Sequence, residues 1–119
     1  AAVTTPLRIL VGNDEAVRRR VALVTPREFA LMQNYPNPFN PKTTIPVAIA
    51  IQSRILLEVD NILGQLVATI YNGEIAPGKH YFDWDSKNDH GATLPSGTYF
   101  SRLSVSNGIR LTGKMILVK

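Results

Sequence analysis

Three prolines within six residues constrain the fold of this chain more than any other sequence feature. Each of Pro36, Pro38 and Pro41 fixes its own φ angle and lacks the backbone N–H that a helix or a sheet ladder requires. Each also pushes the residue before it towards an extended conformation. No helix can therefore cross this stretch, and a sheet ladder along it is not expected. The sequence predicts an ordered, kinked, polyproline-like entry into the domain that follows.

This stretch, which we call the strap, also contains residues that could hold it in place. We expect the rings of Tyr35 and Phe39 to be buried against the following domain. Its asparagines can hydrogen-bond to nearby backbone in tight turns. The alternative is a generic proline-rich linker. The strap consists of Asn34, Tyr35, Pro36, Asn37, Pro38, Phe39, Asn40 and Pro41.

Short stretches of alternating apolar and polar residues follow the strap, which is typical of half-buried strands. Trp84 falls on the same face as Phe82 and is predicted to lie in the core with Tyr99. No helical period occurs, and Asn107-Gly108 is a strong hairpin signal. The sequence therefore predicts an all-β, immunoglobulin-like antiparallel β-sandwich of about seven strands, one of them supplied by the N-terminal residues. The predicted strands after the strap cover residues 45–51, 55–59, 66–70, 80–84, 99–105 and 109–118.

Residues 1–28 have a different pattern and are predicted to be a β-arm or the remnant of a preceding domain, with the sandwich domain at 29–119. One strand is expected over residues 7–11 and a second over 19–25, with a short helix over 14–23 as the alternative for the second. The arm has too many large apolar residues for a solvated tail, and we expect β-pairing to bury them. These residues are Leu7, Ile9, Val11, Val21, Leu23 and Val24.

Composition excludes several classes of protein. The chain has 119 residues, which is the size of one domain. Apolar residues make up 45% of it, which is too large a fraction for a disordered protein. It contains no cysteine, no apolar run long enough to span a membrane and no leader at Ala1. The net charge is +4, and residues 90–119 contain basic side chains but no Asp or Glu. This basic stretch indicates either solvated strand faces or a surface for an acidic partner. Nucleic acid is not an expected partner, because no basic helix or aromatic platform is visible.

No arrangement of residues predicts catalysis. His80 and His90 are the only histidines, and neither has the spacing of a nucleophile–base pair. We expect His80 to pack beside Trp84 or to cap a turn. No enzyme activity, cofactor or small-molecule substrate is predicted. A cluster of oxygen ligands could suggest Ca²⁺, but it lacks the bidentate Glu of an EF-hand, so turn formation and calcium independence are expected. The cluster consists of Asp83, Asp85, Asn88 and Asp89.

The strap carries a family resemblance. Leu31, residues 33–41, Thr43 and Ile45 fit the pattern Leu-x-Gln-Asn-Tyr-Pro-Asn-Pro-Phe-Asn-Pro-x-Thr-x-Ile. This pattern resembles the start of the C-terminal sorting domains of the type IX secretion system and of the related immunoglobulin-like modules of the flagellar hook-capping protein. The likeness extends over residues 29–119, with Val59 where an aromatic residue is usual, and does not include residues 1–28. Its further signatures lie at residues 59–67, 77–80, 84–85, 91, 96–100 and 114–119.

The resemblance implies a non-catalytic module that directs export and surface attachment of a secreted protein. Its partner would be an outer-membrane secretion translocon or cell-surface machinery, which would read the strap and the final strand. The alternative is a self-assembling extracellular subunit, a filament or surface fibre, in which the N-terminal strand is donated to another copy of the chain. Pairing of the arm within its own chain would favour the first interpretation. The final strand consists of Lys114, Met115, Ile116, Leu117, Val118 and Lys119.

Overall fold

The structure, a computed structural model, describes residues 26–119. The predicted arm strands and the alternative helix lie outside this range, as do Leu7, Ile9, Val11, Val21, Leu23 and Val24. The domain boundary between residues 28 and 29 stays a prediction. Within the described range, no helix is long and apolar enough to cross a membrane.

Seven antiparallel strands build two sheets. They are β1 (Ala30–Leu31), β2 (Thr43–Ile49), β3 (Ser53–Asp60), β4 (Leu66–Ile75), β5 (Gly78–Trp84), β6 (Gly97–Val105) and β7 (Arg110–Leu117). One sheet has the strand order β1-β2-β5 and the other β4-β3-β6-β7. The predicted all-β, immunoglobulin-like sandwich is confirmed. Among the described residues the seventh strand is the short β1, which precedes the strap and lies within the predicted domain.

The core follows from the period-two alternation, because every second side chain of a strand points to the same face. Ile45 and Val47 of β2 are completely buried, as are Leu57 and Val59 of β3. Burying each large aliphatic side chain contributes about 1.5–3 kcal/mol. Further core residues are Ile49, Ile55, Ala68, Ile75, Tyr99, Leu103, Val105, Met115 and Leu117.

Trp84 is a core residue, as predicted. Its ring centroid lies 5.8 Å from that of Phe39 and 5.8 Å from that of Tyr99. Its indole Nε1 donates a hydrogen bond to the Lys87 carbonyl at 3.0 Å, so burial leaves no polar atom of the ring unpaired. Phe82 is half-buried at the margin of the core, where its ring packs against Tyr71 at 5.3 Å.

Pro46 lies in the middle strand of its sheet, although its sequence position suggests an edge or a bend. β1 ends at Leu31, opposite Val47, and Met32 N donates to the Pro46 carbonyl at 3.0 Å. Because an antiparallel residue presents its N and its C=O to the same neighbour, the proline nitrogen also faces this side. Of the two bonds that an antiparallel pair exchanges at this position, only the one donated by Met32 forms, and the two-residue β1 ends at Leu31.

Candidate functional site

The structure brings together the two segments to which the family resemblance assigns a recognition role, the strap and the final strand. Phe39 N donates to the Ile116 carbonyl at 2.9 Å, and Val118 N donates to the Phe39 carbonyl at 3.0 Å, forming a parallel bridge. The Asn37 side chain accepts from Ile116 N at 2.9 Å. Gln33 Nε2 donates to the Lys114 carbonyl at 3.1 Å. We call this contact between residues 33–39 and 114–118 the strap seam.

The strap seam covers an edge that would otherwise be open. β7 is the last strand of the four-stranded sheet, and an uncovered edge presents a row of unpaired N–H and C=O groups. The strap satisfies these groups through isolated bonds, because its prolines cannot form a ladder, as expected. Apart from the bridge at Phe39, the one backbone bridge between the strap and the rest of residues 26–119 joins Tyr35 to Thr44. All three of its prolines follow cis peptide bonds.

Phe39 anchors the strap, as predicted. Its side chain is 2% exposed and packs against the indole of Trp84. The strap is therefore an ordered element of the domain, fixed by one buried ring and by its bonds to β7, and the generic-linker alternative is wrong.

The predicted burial of Tyr35 is wrong, since its side chain is 54% exposed. Asn34 is buried instead, and successive side chains of an extended chain point in opposite directions. The Asn34 amide donates to Thr43 Oγ1 at 2.9 Å and to the Pro36 carbonyl at 3.3 Å. Thr43 Oγ1 in turn donates to the same carbonyl at 3.0 Å. This buried polar network holds the strap to the start of β2.

Ser86 is a structural residue that sequence reasoning missed. It is fully buried, and its φ of 63° lies in the left-handed region that a serine rarely adopts. Its hydroxyl donates to the Pro41 carbonyl, and its own carbonyl accepts from Leu94 N at 2.9 Å. Ser86 therefore ties the end of the strap to the loop at residues 86–94. No local motif in the sequence indicates this long-range bond.

The final strand is divided between core and surface. Met115 and Leu117 are buried, whereas Lys114 and the residues after β7, Val118 and Lys119, are exposed. Lys119 N donates to the Ser96 hydroxyl at 3.0 Å. The main role visible in this strand is to complete the sandwich.

Arg102 is the first arginine or lysine in residues 90–119, and it already forms ion pairs with two carboxylates. Its guanidinium lies 2.9 Å from the Glu58 carboxylate and 3.0 Å from that of Asp60, both on the neighbouring β3. Glu58 pairs directly with Arg102 across the two strands. Paired in this way, Arg102 is not available to an acidic partner, which argues against the docking interpretation at this position.

The Asp/Asn cluster makes structural bonds, with Asp83 in strand β5 and Asn88 in the loop that follows it. Asp83 accepts from Thr44 Oγ1 at 2.8 Å. Asn88 Oδ1 accepts from His90 N and Ala92 N, each at 2.9 Å. In the described part of the chain, no group of three or more His, Cys, Asp or Glu residues could hold a metal ion.

Asp89 closes the outer edge of β4. Its carboxylate accepts from Thr69 N at 2.9 Å, and its own N donates to the Val67 carbonyl at 3.2 Å. The bonds are those that a further strand would make with β4, so the loop covers part of this edge.

Two further titratable side chains lie near turns. His80 Nε2 lies 2.8 Å from the Ala76 carbonyl and closes the β4–β5 turn, the second of the two predicted roles. Burial raises the pKa of the Tyr99 phenol above its usual 10.0. The Tyr99 hydroxyl donates to the Pro95 carbonyl at 2.7 Å.

Comparison with known proteins identifies a family for this sandwich. Residues 43–108, from the start of β2 to the β6–β7 turn, match the FlgD Ig-like domain family. The basal-body rod modification protein FlgD of Salmonella typhimurium is 32% identical over 69 residues, and that of Escherichia coli K12 is 35% identical over 69 residues. Each match covers 56% of this chain and 30% of the relative, so the chain spans about a third of the length of these relatives.

A solved structure shares the fold at lower sequence identity. The crystal structure of dimeric latent PorU from Porphyromonas gingivalis superposes with a TM-score of 0.60 and 21% identity. The match covers 80% of this chain and 10% of that one. At this identity the likeness concerns the fold alone.

These findings correct the functional expectations drawn from the sequence. The matching family and the curated relatives are FlgD proteins, so the predicted type IX sorting and anchoring module is wrong, as is the self-assembling extracellular filament subunit. The predicted partners, an outer-membrane secretion translocon, cell-surface machinery or further copies of the chain, are wrong for the same reason. So is the secreted or cell-surface location, since the relatives are named for modification of the basal-body rod.

The resemblance to the immunoglobulin-like modules of the flagellar hook-capping protein is the part of the family prediction that holds. The family match covers more than half of the chain and coincides with five of the seven strands, β2 to β6. The chain belongs to the FlgD Ig-like domain family.

Proposed function

We propose that this chain is a non-catalytic structural module of a FlgD-type protein and takes part in assembly of the bacterial basal-body rod. The observation that carries the proposal is the family match over residues 43–108, together with relatives named as rod modification proteins. The matched segment contains most of the sandwich core, so the likeness concerns a folded unit.

The hydrogen bonds and ion pairs of the polar side chains support a structural role. Arg102 is held by two carboxylates, and Ser86 is hydrogen-bonded within the fold. Asp89 and His80 each bind local backbone. A catalytic site needs a nucleophile or base directed at an open pocket, and these side chains are directed at the protein itself.

The strap and the final strand have a part in this proposal. By joining residues 33–39 to 114–118, the strap seam fixes the direction in which the chain enters the sandwich. A module used in assembly benefits from a rigid entry, because its orientation relative to the preceding residues is then set by the fold.

The test is deletion of residues 26–119 from the gene in the organism that encodes the chain. We expect loss of motility and loss of complete rods in basal bodies viewed by electron microscopy. A Trp84→Ala strain should show the same defect, because the core is disrupted, whereas Thr112→Ala on the exposed face of β7 should not. Immunoblots establish that the remaining protein is present. Normal rods in the deletion strain would overturn the proposal.

A further inference from the structure

A cleft opens in the sandwich at the point where the chain enters the described range. Its volume is about 520 Å³, within the range of about 300–1,000 Å³ that ligand pockets occupy. The residues just before β1 form one wall, and the β2–β3 and β6–β7 turns form the other. We call it the entry cleft. Its lining consists of Arg27, Glu28, Phe29, Ala50, Ile51 and Ile109.

The apolar side chains of the entry cleft are only partly covered by the rest of residues 26–119. Ile51 is 64% exposed within this range. Phe29 and Ile109 are half-buried, since each packs against the core on one side. Single exposed hydrophobic residues need no explanation, but large apolar side chains gathered in one concave site mark a binding surface.

The charges of the lining define what the entry cleft can bind. Arg27 and Glu28 have opposite signs, so the lining has no net charge with which to select a charged ligand. Arg110, which follows Ile109 along the chain, adds a positive charge outside the lining. The other four lining residues are apolar and favour an apolar occupant. An uncharged apolar segment fits these conditions.

The chain itself supplies such a segment directly before the cleft. Residues 21–25, Val-Ala-Leu-Val-Thr, carry no charge and lie outside the described range. Only Pro26 separates them from Arg27 of the lining. Leu23 is four residues from Arg27, which limits the separation of their Cα atoms to about 14 Å. The arginines at positions 18–20 come before the segment, so its uncharged part lies nearer to the cleft.

Attachment to the same chain also favours this segment over other apolar occupants. A short flexible connection gives a tethered group an effective concentration of about a millimolar. A second copy or a different protein would have to exceed that concentration or bind more tightly. The apolar run at residues 9–11 has a longer connection to the cleft, and its effective concentration is therefore lower.

We propose that residues 21–24 of the same chain occupy the entry cleft, with Leu23 packed against Ile51 and Ile109. The contact covers the exposed face of Ile51 and joins the arm to the sandwich on the N-terminal side of the strap. This inference goes beyond the proposed function and does not depend on it, because it concerns a contact within one chain.

The contact is tested by a double-mutant cycle in the full chain, with Leu23→Gln, Ile51→Gln and both together. Each single variant should lower the urea midpoint followed by Trp84 fluorescence. The double variant should lower it no further than the larger single effect, because the first substitution has already removed the contact. An Ile51→Gln midpoint equal to that of the native chain, or shifts that add in full, would overturn the proposal.

Two matched controls define the additive result. Ile9→Gln changes an apolar residue of the arm outside the proposed segment, and its effect should add to that of Ile51→Gln. Ile62→Gln changes a residue that is 71% exposed at the other end of β3, and its effect should add to that of Leu23→Gln. Coupling of Ile51 to Ile9 in place of Leu23 would assign the cleft to a different part of the arm and overturn the proposal.

The source of the occupant is tested by ¹⁵N NMR of the full chain. Leu23→Gln should shift the amides of Ile51 and Ile109, and Ile9→Gln should leave both unchanged. The native spectrum should be the same on dilution, because the contact lies within one chain. Amides that move on dilution would show that a second copy fills the cleft, and amides unchanged by Leu23→Gln would show that this segment does not. Either result would contradict the proposal.

Discussion

At the residue scale, the strap is held by one apolar and several polar buried side chains. Phe39 fills a site beside Trp84, while Asn34 and Thr43 donate hydrogen bonds to the Pro36 carbonyl and Ser86 donates one to the Pro41 carbonyl. The polar residues specify where the strap lies, and the phenylalanine contributes most of the apolar burial.

The first prediction concerns Phe39. Phe39→Ala should lower the free energy of unfolding by about 3–5 kcal/mol, because it removes a buried ring and leaves a cavity. Tyr35→Ala, in the same strap but half-exposed, should cost clearly less. Urea denaturation followed by Trp84 fluorescence measures both. Equal costs would mean that Phe39 does not anchor the strap.

The second prediction concerns Tyr99. Its raised pKa means that the folded state holds the phenolic proton more tightly than the unfolded state. The resulting stability is fully present below the unfolded pKa of 10.0 and decreases as the pH rises through the folded pKa. The free energy of unfolding should therefore fall more steeply above pH 10 in the native chain than in Tyr99→Phe. Parallel curves for the two proteins between pH 9 and pH 11 would contradict it.

Sequence reasoning succeeded for residues in strands and failed for residues outside them. Trp84 could be assigned to the core because strict alternation defines its face. Tyr35 could not, because the strap lacks a ladder that would fix which side chains point inward. The left-handed backbone of Ser86 depends on a bond to Pro41, 45 residues away, and nothing in its neighbours predicts it.

At the element scale, the two outer strands of the four-stranded sheet are both partly covered. The strap covers β7 and the loop around Asp89 covers part of β4. The sequence identified the strands themselves, but not which of them lie at edges, because edge position depends on pairings between distant segments. Native β-proteins commonly cover edges in this manner to prevent association with other chains.

The third prediction follows for β4. Asp89→Ala removes the acceptor of Thr69 N and should increase aggregation, since the edge can then pair with another chain. Light scattering during prolonged incubation at high protein concentration measures the effect. Asp85→Ala is the matched control, since within residues 26–119 the Asp85 carboxylate bonds to the nearby Lys87 alone. Indistinguishable scattering from the two variants would exclude a protective role for Asp89.

At the scale of the whole molecule, the sandwich rests on its apolar core. Residue alternation and turn signals were sufficient to predict an immunoglobulin-like fold, because every second side chain along a strand points to the same face of its sheet. They were not sufficient to predict function, since the same fold serves more than one kind of module. The family match, and not the strap, separates these possibilities.

The fourth prediction is that stability does not depend on calcium. The oxygen atoms of Asp83, Asn88 and Asp89 already accept hydrogen bonds from separate parts of the fold. The midpoint of thermal unfolding should be the same in 5 mM CaCl₂, a concentration of the order used to load weak sites, and in a chelator. A rise in the midpoint that saturates with Ca²⁺ would identify a site in this cluster.

The strap seam also determines how the domain would respond to mechanical load. Its bonds join residues 33, 37 and 39 to 114, 116 and 118 in the same order, so the strap and β7 run parallel. Tension applied through the flanking chain would pull the strap towards its N-terminal side and β7 towards its C-terminal side. The two segments would then slide past each other, and all the bonds of the seam would bear the force together instead of opening one at a time. The domain should therefore resist stretching along the chain better than an antiparallel edge of the same length.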